Sequence, residues 1–383
     1  MHRVHRFLWI GLLLLVCLPV LAAPGQVTLM KTPEEGIQPQ AAVDSKGVVH
    51  LLYFKGDPGA GDLFYTRLAP GERAPRPAIR VNSQPGSAIA TGTIRGGQIA
   101  LGMGDSVHVA WNGSEKAAPK GPGGNPMLYT HLNEAGTAFE PQRNLITWAG
   151  GLDGGGTLAA DPQGHVYVAW HANPQKDGEA NRCVYMARST DNGKRFEKEI
   201  RINPQPTGVC GCCSLRAFAD SGGDVYVFYR AATKSVDRDM ILLRSRNRGA
   251  SFESQLVDTW NLNACPMSSS SMVQKGKAVL AAWETREQVF YGLVGAAKET
   301  PIAPARMQGS SGTRKHPVLA VNGKGETLFA WTEGTGWNRG GSLAWQVTNA
   351  EGQVITQGRS PGVPVWGLLS AFTRPDGSFV LVY

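Results

Sequence analysis

One unit recurs along the whole chain: a short, strongly β-prone segment that ends in an aromatic residue, repeated at a spacing of roughly 45–60 residues. The copies are Val48–Tyr53, Val107–Trp111, Val166–Trp170, Val225–Tyr229, Ala278–Trp283, Thr327–Trp331 and Ser378–Tyr383. A weaker apolar strand and a Gly/Asp turn precede each copy, and a polar loop follows it. No long segment carries a helical period, and 48 glycines with 24 prolines fit many short strands and turns. A unit of this length suits one four-stranded blade, which cannot bury both faces alone and must stack against neighbours around a ring. The expected fold is therefore an all-β propeller, with strands a to d running from centre to rim. The last copy has only its two inner strands, and Val27-Thr28-Leu29-Met30 is placed to add an outer one and close the ring. Counting hairpins predicts seven blades.

The turns add an orientation. Ser189-Thr190-Asp191-Asn192-Gly193-Lys194-Arg195-Phe196 reads S-x-D-x-G-x-x-F between two strands. Asp191 is suited to accept backbone N–H bonds in a tight turn, Gly193 to take positive φ, and Phe196 to pack at the start of the returning strand. Ser245, Asn247, Gly249 and Phe252 repeat it more weakly, and Asn133-Glu134-Ala135-Gly136 with Phe139 is a looser third copy. The pattern resembles the Asp-box of the sialidase-like (BNR-repeat) β-propellers. That resemblance implies six blades, so the count is six or seven, and it puts these turns on the face away from the ligand site.

The first residues read as a secretory signal. Arg3 and Arg6 precede an apolar run from Phe7 to Val20, and Val20-Leu21-Ala22 fits cleavage before Ala23. Residues 1–22 are then a signal peptide and 23–383 one propeller domain, periplasmic or secreted from a bacterium. No membrane association is expected after cleavage. Removing two arginines and no acids lowers the formal charge from +8 to +6, a mild bias toward anionic ligands. No run of basic residues with interleaved aromatics points to nucleic acid. A monomer without cofactor is expected.

Strand order places the b-to-c and d-to-a loops together at the end opposite the Asp-box turns, and the unusual chemistry falls in those loops. They hold Arg95, Asp153, Arg216, Arg238, Glu284, Arg314, His316, Glu333, Trp337 and the cysteines, with Tyr229 at the end of a b strand. The strings Cys210-Gly211-Cys212-Cys213, Ala264-Cys265-Pro266-Met267-Ser268, Arg314-Lys315-His316-Pro317 and Trp331-Thr332-Glu333-Gly334-Thr335-Gly336-Trp337 resemble a group of bacterial BNR-repeat proteins known as exo-α-sialidase-like. The resemblance runs from about Arg95 to about Trp345 and implies an exo-glycosidase on acidic, sialic-acid-like sugars. Such chemistry needs guanidinium forks for the sugar carboxylate, a Tyr nucleophile with a Glu base, and an Asp acid/base. The matching candidates are Arg95, Arg216 and Arg314 as a clamp, Asp153 as acid/base, Glu284 or Glu333 as base, and Tyr229 as nucleophile. Arg238, His316, Glu333 and Trp337 would contact substrate, Trp337 as a stacking platform. The Phe/Tyr-Arg-Ile-Pro motif that carries the family's first arginine is absent; Ile94-Arg95-Gly96-Gly97 is the nearest counterpart. A non-catalytic propeller binding a glycan or protein would need only the arginines and aromatics.

Five cysteines follow the signal: Cys183, Cys210, Cys212, Cys213 and Cys265. Export favours disulfides. Cys265 is expected to pair with one of Cys210, Cys212 or Cys213, tying two adjacent d-to-a loops together. The alternative is a metal or redox protein, in which the same thiols with Met267 take a soft ion.

Overall fold

The computed structural model describes residues 23–72, 74–92, 95–173, 175–295 and 312–383. The signal segment and Thr93-Ile94 lie outside the described residues. Among the described residues seven sheets follow one another along the chain, five of four strands and two of three, all antiparallel but for one strand pair. Their inner strands are Ile37–Val43, Gly97–Leu101, Gly156–Ala160, Arg216–Ala219, Ser271–Lys275, Arg314–Val321 and Ser370–Thr373. Each inner strand touches the next, and the last touches the first, so the sheets close into a seven-bladed propeller. The hairpin count holds and six blades do not. The seventh blade is completed from the other end of the chain: Val27–Met30 pairs in parallel with Phe379–Val382.

The second strand of each blade is buried on both faces, because a neighbouring blade covers each side. Val166–Ala172 is buried at every position, and so is Thr327–Glu333. This explains why the recurring segments read as near-continuous apolar runs, not alternating ones. Their terminal tryptophans Trp111, Trp170, Trp283 and Trp331 are fully buried between blades.

Antiparallel order puts the a-b and c-d turns at one end. Asn192 donates its N–H to the Gly164 carbonyl in the a-b turn of its own blade, and Ser106 of the preceding blade donates to the Asn192 side chain. Within the Ser189 turn, the Gly193 N–H reaches Ser189 Oγ at 2.9 Å and the Arg195 N–H reaches Asp191 Oδ1 at 2.8 Å. Gly193 has φ +79°, and a Cβ there would meet the Tyr129 hydroxyl at 1.9 Å. Glycine is therefore needed for both the turn and the packing. The Ser245 turn repeats the geometry, with Gly249 N–H on Ser245 Oγ at 2.8 Å. The b-c and d-a loops emerge at the opposite end, as the strand order predicts.

Candidate functional site

At that opposite end a central cavity of about 180 Å³ opens between the inner strands. Gln40, Gln98, Arg216, Ser271, His316 and Ser370 line it, each from a different blade. Arg216 is its charged centre. The guanidinium donates across the ring to Gln40 Oε1 at 3.2 Å and to Gln98 Oε1 at 3.0 Å. Among the described residues no carboxylate pairs with it, and its Nε has no partner. Burial lowers its proton affinity below the usual arginine value. A guanidinium out of water normally acquires a carboxylate, so two neutral amides leave its charge uncompensated. Ser270 on the same wall also has a buried hydroxyl without a partner. His316 sits at a bulge with φ +51° and touches Ser269 Oγ at 3.1 Å. Burial and then the nearby Lys315 push its imidazole down to about 3, so it is neutral at physiological pH.

A wider mouth of about 320 Å³ lies above, lined by Arg95, Asp153, Glu179, Cys212, Cys265 and Trp337 among others. Arg95 lines both spaces. Asp153 is held between Arg95 and Arg182, one oxygen to each at 3.1 Å. Glu179 lies 3.9 Å from Arg182, receives Arg238 at 2.7 Å and accepts the Gly211 N–H at 2.6 Å. Trp337 is 46% exposed and packs edge-on against Trp366.

Behind these cavities lies a wall of buried charge. Arg230 donates to Ser268 Oγ at 2.9 Å, to the Arg238 carbonyl at 2.5 Å and to the Glu284 carbonyl. Lys315 reaches Glu284 Oε1 at 3.0 Å, and Oε2 has no partner. Burial pushes the Glu284 carboxyl up to about 7, against the pull of Lys315. The expected bond between Cys265 and the cluster is present: Cys212 and Cys265 form a disulfide with Cα atoms 6.1 Å apart. Cys183, Cys210 and Cys213 are free.

The candidate residues therefore divide. Arg95, Arg216 and His316 line the central cavity, and Asp153, Trp337, Cys212 and Cys265 the mouth. Arg314 turns away: its guanidinium lies over Trp331 and 3.8 Å from Glu333, which also accepts from Trp331 and Arg359. Only two of the three clamp arginines thus converge. Tyr229 is in the core between the third and fourth blades, its hydroxyl bonded to Thr207 Oγ1 at 2.7 Å, and burial pushes its phenol up to about 12. Glu284, Glu333 and Arg238 are buried supports and line neither cavity. Gln40, Gln98, Glu179, Arg182 and Ser270 were missed by sequence reasoning. Gln40, Gln98, Glu179 and Arg182 each have a partner on another loop or blade, and Ser270 Oγ has none, so no motif marks any of them.

No protein-family model matches the chain, and no curated protein sequence matches it. Solved structures share its fold at low identity. A Dyadobacter fermentans protein of unknown function aligns with TM-score 0.53 and 12% identity over 89% of this chain and 99% of its own. A Hadza microbial sialidase gives 0.51 and 12% over 85% and 74%. A Penicillium chrysogenum α-L-arabinanase, solved with arabinobiose, gives 0.53 and 13% over 85% and 96%. The chain has the sialidase-like propeller fold, which among its structural neighbours serves glycoside-processing proteins.

Proposed function

We propose that this protein binds an acidic carbohydrate at the mouth end of the propeller, with the anionic group on Arg216 and the sugar ring against Trp337. The observation that carries this reading is the buried Arg216 guanidinium, which has neutral amide partners and no carboxylate. An incoming carboxylate would supply the missing charge through two donors in a fixed fork. The Ser189 and Ser245 turns support reading the blades as Asp-box repeats, and the Cys212–Cys265 disulfide supports export to an oxidising compartment. No described helix is long and apolar enough to cross a membrane.

Binding is favoured over hydrolysis because, among the described residues, no Asp, Glu or Tyr lines the central cavity. A second reading, an exo-glycosidase on the same ligands, is supported by Asp153 and Glu179, which both line the mouth. Calorimetry with N-acetylneuraminic acid, glucuronate and their neutral analogues tests both. The expected result is binding of the acidic sugars alone, weakened by Arg216→Met by roughly 30-fold, about 2 kcal/mol. Equal affinity for the neutral analogues would overturn the proposal. Release of fluorophore from an aryl sialoside, lost in Asp153→Asn, would favour the hydrolase.

A further inference from the structure

Four sulfur atoms cluster between the mouth and the interior, and the Sγ atoms of Cys210, Cys212 and Cys213 all lie within 4.8 Å of one another. Cys265 is exposed at the mouth and bonded to the half-buried Cys212. Cys210 Sγ lies 3.3 Å from Cys212 Sγ, and Cys213 Sγ lies 3.2 Å from Cys210 Sγ. Cys210 and Cys213 are buried, in a small apolar cluster with Ala232. Their spacing is Cys-x-x-Cys, and the Cys213 N–H bonds back to the Cys210 carbonyl across the turn. None of the four is needed for the sugar site proposed above.

The surroundings distinguish the two inner thiols. Cys210 donates to Cys213, and so does Ser268, the latter at 3.4 Å. Burial alone would push the Cys213 thiol up. The Cys210 and Ser268 hydrogen bonds and the Arg230 charge outweigh it and hold the thiol below its ordinary value. Cys210, bonded to that thiolate and buried, is pushed up.

We propose that these cysteines form a thiol–disulfide exchange relay, in which the bond between Cys212 and Cys265 moves inward to Cys210 and Cys213. In the first step Cys210 passes its proton to the Cys213 thiolate and attacks Cys212 Sγ. The Cys210–Cys212 bond forms, the Cys212–Cys265 bond breaks, and Cys265 leaves as a thiolate at the mouth. In the second step Cys213 attacks Cys210 Sγ. The Cys210–Cys213 bond forms, the Cys210–Cys212 bond breaks, and Cys212 leaves carrying the proton Cys213 gives up. One disulfide becomes another, so no oxidant or reductant is consumed. The product presents Cys212 and Cys265 as a dithiol to a thiol or disulfide arriving from solvent.

Differential alkylation tests the relay on the full unreduced chain. The folded protein is held at neutral pH with light N-ethylmaleimide, then unfolded, reduced and labelled with the heavy reagent. In the wild type, light label is expected to build up on Cys212 and Cys265 while Cys210 and Cys213 come out heavy. Cys213→Ser removes the proton acceptor of the first step and the nucleophile of the second, so Cys212 and Cys265 both lose light label by about tenfold or more. Cys210→Ser blocks both steps and protects both mouth cysteines. It carries the test if the first variant does not fold. Cys183, free in every case, reports reagent access. The proposal is overturned if wild-type Cys212 and Cys265 stay bonded to each other while Cys210 and Cys213 take light label. A metal ion purified in stoichiometric amount on Cys210 and Cys213 would also overturn it.

Discussion

The two ends of this ring satisfy their polar groups in opposite ways. At the turn end the partners are close in sequence. Asp44, Asp161, Asp220 and Asn322 each open an a-b turn, and each accepts the N–H groups two and four residues ahead at 2.8–3.0 Å. At the mouth the partners come from different loops and blades: Arg216 with Gln40, Arg95 with Asp153, Arg238 with Glu179, Arg230 with Glu284. The turn end is thus a set of mainly local devices, one in each turn, with single ties between blades such as Ser106 to Asn192. The mouth is one coupled object, assembled only when the ring is complete. Function needs the second kind of arrangement, because groups that already satisfy one another locally have nothing left for a ligand.

The largest effect should come from breaking the mouth wall. Arg230→Met leaves three buried acceptors without their donor and should cost about 3–5 kcal/mol in denaturant unfolding. A loss under about 1 kcal/mol would mean the mouth is no more coupled than the turns. Next come two carboxyls whose environments have opposite signs. Glu284, raised by burial from 4.5 to about 7, holds its proton more tightly in the folded state. Its contribution is therefore most favourable at low pH and is lost as pH rises between those two values. Glu284→Gln should remove that decline in the thermal midpoint. Asp191 is the reverse: first the Arg195 N–H, then side-chain partners, hold it at about 2 instead of 3.8. Its stabilisation is present above 3.8 and disappears as pH falls toward 2, a loss that Asp191→Asn should abolish in acid unfolding.

Smaller effects are expected from single turns. Asp161 is fully buried and also accepts from His165 Nδ1 at 2.8 Å, so Asp161→Ala should cost about 2 kcal/mol by chemical denaturation. Ligand affinity should not move, since the damage stays in one turn. Arg195→Ala removes a guanidinium that is 91% exposed and should change stability by about 0.5 kcal/mol or less.

This division also sets how far the sequence could be read. The seven buried strands, the seam at Val27–Met30, the Ser189 turn and the placement of loop chemistry at one end were legible, because periodicity and turn residues act over a few positions. The bond from Cys265 to the cluster was legible as a choice of three, since adjacent d-to-a loops must run side by side. The fates of the arginines were not. Arg216 and Arg314 both open inner strands, yet one faces the cavity and the other folds back on Glu333, its cross-strand neighbour. Only the register of the next strand decides that, together with what stands across the ring. Arg182 and Glu179 matter because of where Asp153 and Arg238 arrive, and no local pattern encodes an arrival.

The seam has a consequence for the order of assembly. The strand Val27–Met30 is synthesised before every other described strand, and its partner Phe379–Val382 after all of them. However quickly the intervening blades pair, they form an open arc with two uncovered apolar flanks until Phe379–Val382 has been made. The contact that shuts it has among the greatest sequence separations of any strand pairing in the described residues, and such contacts are the slowest to form. A copy cut short anywhere before the last strand would therefore keep both flanks bare. Two such arcs could only cover them on each other, so loss of Phe379–Val382 should appear as aggregation in an otherwise native-like chain.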